Sequence, residues 1–305
     1  MKKILITGSN GLLGHKLVKL FLSKKGYEIY AVSRGENRLK NKKGYTYYNI
    51  DISDKEKLTQ LVDEILPHYI IHTAAMTNVD ACELHKEACD LINVEVVATL
   101  AAVCKKNNIH LIHLSTDFIF DGEKGGFYTE DDQPNPISYY GLSKLKSENI
   151  ILQADIPYTI LRTILVYGLV DNNDRSNIVL WVKKSIEDKK HINVVTDQYR
   201  MPTYAEDLAE ACLLAIENNR VGIYNVSSNE LLSIYDIALE IANTFGLDKS
   251  YINPIETSEL SLPAKRPPKT GFDLKKSINE LKLPSYSFSE RLQVFKNQLE
   301  KHGYL

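Results

Sequence analysis

Tyr140 and Lys144 stand four residues apart in the segment Tyr140-Gly141-Leu142-Ser143-Lys144. On a helix this spacing puts both side chains on one face. A free phenol, with a pKa near 10, is a poor proton donor to a ketone, and its phenolate is scarce at neutral pH. A nearby cation stabilises the phenolate and lowers that pKa. The pair can therefore hand a proton to a carbonyl oxygen. Ser115 and Thr116 end the apolar run before it and can orient that oxygen. Of the 18 tyrosines, Tyr140 alone has Lys at this offset. The pair alone is a weak signal; the Ser115-Thr116-Asp117 strand end ahead of it gives it weight.

A second constellation lies at the start of the chain. Thr7-Gly8-Ser9-Asn10-Gly11-Leu12-Leu13-Gly14 directly follows the apolar run Ile4-Leu5-Ile6. A glycine turn between a first strand and a helix is a dinucleotide-binding context. Gly8 permits the tight turn, Gly11 lets backbone approach a pyrophosphate, and Gly14 lets the helix pack close to the sheet. The helix N-terminus offers free N–H groups and partial positive charge to the phosphates. Asn10 and Leu12 of the same turn belong to the expected cofactor set.

The next strand ends at Ser33-Arg34. An NAD site commonly carries an acid here for the ribose 2′-hydroxyl. This chain has none, and Arg34 can pair with a 2′-phosphate instead. NADP(H) is the expected preference, with NAD(H) as the second cofactor. The plainer reading of Arg34 is a solvated residue of a basic loop that also holds Arg38, Lys40, Lys42 and Lys43. Asp51-Ile52 follows the third strand. There Asp51 serves equally as an adenine contact or as the cap of the next helix. His110 and His113, three apart on a strand, are expected on opposite faces in packing roles. Asp117 and Asp121 are read as turn-forming or capping residues.

These residues need elements to hold them. Apolar runs near 3–7, 28–32, 45–49, 69–73, 110–114, 158–162 and 222–226 read as strands. Helical patterns lie between them near 11–24, 54–66, 86–107, 138–153 and 204–218. Such alternation predicts an α/β fold: a Rossmann-like doubly wound parallel sheet covered on both faces, with ligands beyond the carboxyl ends of its strands. The expected cofactor domain spans 1–165 plus about 196–226. A smaller substrate-binding lobe is expected over about 166–195 plus 227–305, where Asn, Ser, Pro and Lys become more frequent.

The bulk numbers limit the function. The chain has 305 residues and a net charge of −2, so no general attraction for nucleic acid or anionic lipid is expected. No apolar stretch nears the roughly 20 residues that span a bilayer. No signal peptide is read ahead of the first strand, and a cytoplasmic location is expected. The four cysteines, Cys82, Cys89, Cys104 and Cys212, form no C-x-x-C pair. Neither a disulfide framework nor a metal site is expected.

Further segments give the chain a family likeness. They include His72-Thr73-Ala74-Ala75-Met76-Thr77-Asn78-Val79-Asp80 with Glu83, and Leu114 to Gly122. Asn135-Pro136, Leu161-Arg162-Thr163, Val166-Tyr167-Gly168, Asp197-Gln198-Tyr199, Pro202-Thr203, Lys265-Arg266-Pro267 and Thr270 to Leu274 continue it. The chain resembles the extended short-chain dehydrogenase/reductases, and among them the dTDP-4-dehydrorhamnose reductase branch. The resemblance implies that Thr116, Tyr140 and Lys144 act together on a carbonyl, with Tyr140 protonating the alkoxide and Lys144 holding the cofactor ribose and lowering the phenol pKa. It implies that Ala74 and Ala75 line the cofactor channel, and that Thr77, Val79 and Asp80 edge a sugar pocket. Lys265 and Arg266 would meet the substrate's diphosphate. The implied activity is NADPH-dependent reduction of a 4-keto-6-deoxy sugar nucleotide, with a possible homodimer. Two positions depart from the pattern. Leu165 stands where bacterial members often carry Trp, and Lys16 where some carry a metal-tied Glu at a dimer contact. Those departures bear on substrate and dimer mode.

The regulatory beta subunit of methionine adenosyltransferase resembles the same branch and keeps the motifs. A non-catalytic, NADP-binding role therefore stands as the alternative. An epimerase or dehydratase of the same superfamily is a third reading. A dehydratase typically has acids after the strand-end threonine, whereas here Phe118 follows Asp117.

Overall fold

The computed structural model describes residues 1–171 and 177–303. Seven strands form one parallel sheet: β1 (Lys2–Thr7), β2 (Tyr27–Ser33), β3 (Thr46–Asn49), β4 (Tyr69–His72), β5 (His110–Thr116), β6 (Tyr158–Thr163) and, later in the chain, β11 (Gly222–Val226). Their order is β11-β6-β5-β4-β1-β2-β3. The chain winds outward from β1 to β3, then returns to the other side of β1 and winds outward from β4. Three two-stranded ribbons stand apart from this sheet. They pair β7 (Val166–Tyr167) with β10 (Thr203–Tyr204), β8 (Ile192–Val195) with β13 (Ile252–Ile255), and β9 (Tyr199–Arg200) with β12 (Leu232–Ser233).

Alternation along β1 explains the layering. Ile4 and Ile6 face one side of the sheet, where they meet Leu17, Val18 and Phe21 of α1 (Leu12–Leu22). Leu5 faces the other, where α2 (Lys55–Ile65) brings Leu58, Leu61 and Val62. The crossover after β4 is not one helix. It divides into α3 (Val79–Leu84), α4 (Lys86–Asp90), a π-helical turn at Leu91–Glu95 and α5 (Val96–Asn107). The single helix expected over 86–107 is thus interrupted by a wide turn. Its physical reason is Asn93, whose amide is buried there and fully bonded. α6 (Tyr139–Gln153) follows β5, capped by the Ser138 hydroxyl.

The remaining helices are α7 (Ile178–Glu187), α8 (Ala205–Glu217), α9 (Ile234–Phe245) and α10 (Phe288–Lys301). α8 packs beside α1 on the sheet. α7, α9 and α10 close around Tyr167, whose ring meets Phe288 and Phe295 edge-on at 5.4 and 5.8 Å. Among the described residues no helix is long and apolar enough to cross a membrane. All four cysteines are buried and free.

Between sheet and helix, Arg162 of β6 and Glu148 of α6 form a bidentate pair at 2.8 and 3.1 Å. Their side chains are 3% and 1% exposed. A buried charge that loses its partner destabilises a fold by about 3–5 kcal/mol. Glu148→Leu leaves the Arg162 guanidinium uncompensated, so we expect a loss of that size in urea unfolding. A loss under about 1 kcal/mol would contradict this role for the pair.

Candidate active site

One cleft of about 630 Å³ runs along the carboxyl ends of the sheet. Its first end is the β1–α1 turn. Gly8 adopts φ +71°, and a Cβ there would come within 2.8 Å of the Ala74 amide. Gly14 is helical but stacks on the turn itself: a Cβ would lie 2.3 Å from the Gly8 carbonyl. The turn and the helix therefore fit together only without side chains. α1 also lacks any capping side chain or acidic residue in its first turn. By contrast α2, α6, α7, α9 and α10 all receive a side-chain cap. The open amides of α1 and its partial positive charge suit a pyrophosphate, so a dinucleotide fits this end.

Gly8, Gly11 and Leu12 line the cleft, as do Ser33, Arg34, Asp51 and Ile52 at its mouth. Arg34 pairs with Asp51 at 3.6 Å, and its side chain is 72% exposed. Asp51 does not cap α2; Asp54 does, accepting from the Lys57 amide. Asp51 instead accepts from the Ser53 amide and hydroxyl, contacts that hold its carboxyl below the usual range despite burial. Asn10 and Gly14 are not on the wall. The Asn10 amide donates to the Arg34 and Glu36 carbonyls and accepts from the Arg38 amide, tying the turn to the 34–38 loop.

Ala74, Ala75, Thr77 and Val79 form the middle of the wall. Asn93 fixes this loop. Its oxygen accepts from the Met76 amide at 2.8 Å, and its nitrogen donates to the Met76 carbonyl and the Ser143 hydroxyl, both at 3.0 Å. The sequence reading missed Asn93. An Asn within an otherwise apolar helical run was its one signal.

At the centre stand Thr116, Tyr140 and Lys144. The Thr116 oxygen accepts from the Phe118 amide, and its hydroxyl donates to Asp117. Burial pushes the Tyr140 phenol above its ordinary range; the Thr116 contact opposes the shift, and the Asp117 charge adds to it. Lys144 was expected to lower the phenol pKa. Its ammonium meets Nε2 of His113 at 3.0 Å. Burial pushes Lys144 down to about 8, with the Glu148 charge opposing. His113 is therefore more than a packing residue, while His110 meets Thr159 at 2.8 Å and packs against the Tyr69 ring at 5.4 Å. Ser115 also lines the cleft, and among the described residues its buried hydroxyl has no partner.

Asp117 is no simple turn residue. It is buried, accepts from Thr270 and faces Nε of Arg200 at 3.5 Å. Burial raises its pKa, with Arg200 as the largest opposing influence. Asp121 accepts from the Glu123 amide, Tyr128 and Asn135, as a turn residue should.

The far end of the cleft is bounded by Leu165, Gln198, Arg200 and Arg266. Leu165 has φ +42°, a conformation unfavourable for a branched side chain. Arg266 grips Asp80 with two bonds of 2.9 and 2.6 Å, so Asp80 reaches the cleft only through that pair. Lys265 is exposed and does not line the cleft. Lys16 pairs with Glu206 at 2.6 Å, away from the cleft wall. Among the described residues no group of His, Cys, Asp and Glu could hold a metal ion.

A doubly wound sheet, an uncapped first helix and a helical Tyr/Lys pair in one cleft define a dinucleotide-binding protein of the short-chain dehydrogenase/reductase type. More particularly, the chain belongs to the family described as RmlD substrate binding domain, which matches residues 1–301. It is 32% identical to a probable low-salt glycan biosynthesis reductase of Haloferax volcanii, covering 90% of this chain and 91% of that one. Identity is also 32% to a dTDP-4-dehydrorhamnose reductase of Aggregatibacter actinomycetemcomitans, over 90% and 92%. It is 31% to the methionine adenosyltransferase 2 subunit beta of Rattus norvegicus, over 90% and 81%. Among solved structures, a dTDP-4-dehydrorhamnose reductase of Clostridium acetobutylicum superposes with TM-score 0.86 at 30% identity, covering 98% and 99% of the two chains. One from Bacillus anthracis, in complex with NADP, gives 0.84 at 28%, covering 98% and 100%.

Gly141 sets how closely α6 approaches the 117–119 turn. A Cβ there would lie 2.0 Å from the Phe118 carbonyl oxygen. Overpacking of this kind costs about 1–3 kcal/mol. Gly141→Ala is expected to lower the melting temperature and to part Tyr140 from Thr116. An unchanged melting temperature would show that the turn yields freely.

Proposed function

We propose that this protein is an NADP(H)-dependent reductase of a 4-keto-6-deoxy sugar nucleotide. One observation carries the reading: Tyr140, Thr116 and Lys144 meet midway along a cleft that begins at the open N-terminus of α1. A reduced nicotinamide bound along this cleft would supply the hydride. Tyr140, held as a phenol by its burial, gives a proton to the substrate oxygen. Thr116 orients that oxygen. The Lys144 ammonium lies in the same cleft and stabilises negative charge as it develops on the phenol. Gly8, Gly11 and Leu12 receive the cofactor's pyrophosphate, and Asp51 and Ile52 its adenosine. Ser33 and Arg34 receive the 2′-phosphate.

The substrate lies between Thr77, Val79 and the segments after residue 165. Its diphosphate falls to Arg266, which would trade one Asp80 contact for phosphate oxygens, with Lys265 as a solvent-side cation. Similarity to the methionine adenosyltransferase beta subunit supports a second, regulatory reading. Turnover separates the two: a regulatory subunit binds NADPH and leaves 4-keto sugar nucleotides untouched.

The test is NADPH oxidation against a panel of 4-keto sugar nucleotides. Turnover by wild type and a loss of about 10²–10⁴-fold in Tyr140→Phe, with NADPH affinity kept, is the expected result. Near wild-type turnover in the variant would remove Tyr140 as the donor. Arg34→Ala should weaken NADPH by about tenfold and leave NADH nearly unchanged. Equal losses for both cofactors would take the 2′-phosphate away from Arg34.

The pH dependence has a definite sign. Lys144 is charged below about 8 and loses its proton above it. Tyr140 remains a phenol through this range. The rate should therefore hold to about pH 7 and fall as pH rises through 8. A rate that rises there would place the controlling group elsewhere.

A further inference from the structure

The Lys144 ammonium is buried without a carboxylate. Among the described residues no acid lies within ion-pair distance of its Nζ, and Glu148, one helical turn on, is committed to Arg162. A cation so placed surrenders its proton readily unless some group accepts from it. The one protein acceptor bonded to it, among the described residues, is Nε2 of His113.

We propose that His113 is a positioning residue that holds the Lys144 ammonium charged and aimed into the cleft. The proposal rests on the reductase reading for what Lys144 does, but not for whether His113 holds it. The imidazole is fixed from several sides. His113 is fully buried on β5, three residues before Thr116. Its ring stacks on His72 of β4 at 5.5 Å and 18°. His72 is itself anchored at 2.7 Å from the Thr7 hydroxyl. Ser147 closes the third side, with its oxygen 3.2 Å from Nε2.

The proton assignment follows from these contacts. Burial keeps His113 neutral, so it has one N–H and one lone pair. An ammonium carries donors only, so Nε2 accepts and the proton sits on Nδ1. The Ser147 hydroxyl donates to the Lys144 carbonyl at 2.7 Å, so its 3.2 Å approach to Nε2 is an acceptor-to-acceptor contact and the Nε2 lone pair is left to Lys144. Among the described residues Nδ1 has no partner. The protein thus leaves one buried donor unmatched while turning the acceptor towards Lys144. One ammonium proton goes to His113, and two remain for the cleft.

The groups that face Lys144 are His113 and His72 from the sheet, Cys89 from α4, and Glu148 and Tyr140 from its own helix. Glu148 and Cys89 favour its charge, and burial opposes it. Loss of the His113 acceptor should therefore move the lysine's titration further down. The decisive measurement is NMR titration of the Lys144 side chain in ¹³C-lysine-labelled protein without cofactor, assigned with Lys144→Met. In His113→Phe the midpoint should fall by about one pH unit, a tenfold change in the proton equilibrium. In His113→Gln, whose amide oxygen can stand where Nε2 stood, it should return close to wild type. The basic limb of the pH–kcat profile should move in parallel, while KM for NADPH changes little.

An unmoved midpoint in His113→Phe overturns the proposal, as does a shift equally large in His113→Gln. If His113→Phe does not fold, His113→Asn serves, since its shorter side chain stops short of Nζ. Absence of turnover in wild type would end the reductase reading alone, because the titration needs no substrate.

Discussion

Between β1 and β4 the sheet reverses its direction of winding, and the two connections that leave there turn away from each other. A parallel sheet built in this order must open a crevice at that point. α1 leaves on one side and the 73–77 loop on the other, and the crevice is the space neither can fill. The glycines of the first turn keep it narrow, since Gly8 sits against Ala74 and Gly14 against Gly8 itself. Asn93 then fixes the opposite wall by both polar atoms. The catalytic reading of the centre presupposes this geometry.

The buried charges around the cleft follow one rule with one departure. Arg162 has Glu148, Arg200 has Asp117, and Arg266 has Asp80. Each guanidinium meets a carboxylate, which limits the cost of removing it from water. Lys144 meets only a neutral imidazole. A carboxylate in that place would hold the ammonium more firmly but draw it away from the phenol. The imidazole leaves Lys144 near the point where its charge can change.

The main strands could be read from the sequence because apolar runs of β-branched and leucine residues are long enough to stand out, and all seven occur near where that pattern put them. The ribbon strands escaped, since runs of two to four residues carry too little periodicity. α7, α9 and α10 were missed because Asn- and Lys-rich flanks obscured their apolar faces. At the site, the glycine turn and the Tyr140/Lys144 pair could be read because their spacing is local. His113 and Asn93 were not recognised, because their roles depend on partners 31, 17 and 50 residues away. Likewise Asp80 and Arg266 were each expected at the substrate, but no local signal shows that they hold one another across 186 residues.

β11 pairs with β6 in parallel register although 58 residues separate the end of one from the start of the other. During synthesis the first six strands therefore emerge well before their last neighbour. Until residue 226 leaves the ribosome, β6 stands as a bare edge, with Ile160 and Leu161 lacking the strand that covers them. An unpaired, apolar edge is a template for other chains. While the chain from Thr163 to Gly222 is being made, that edge of β6 is open to chaperones and to misassociation. Slow translation in that interval would prolong the exposure.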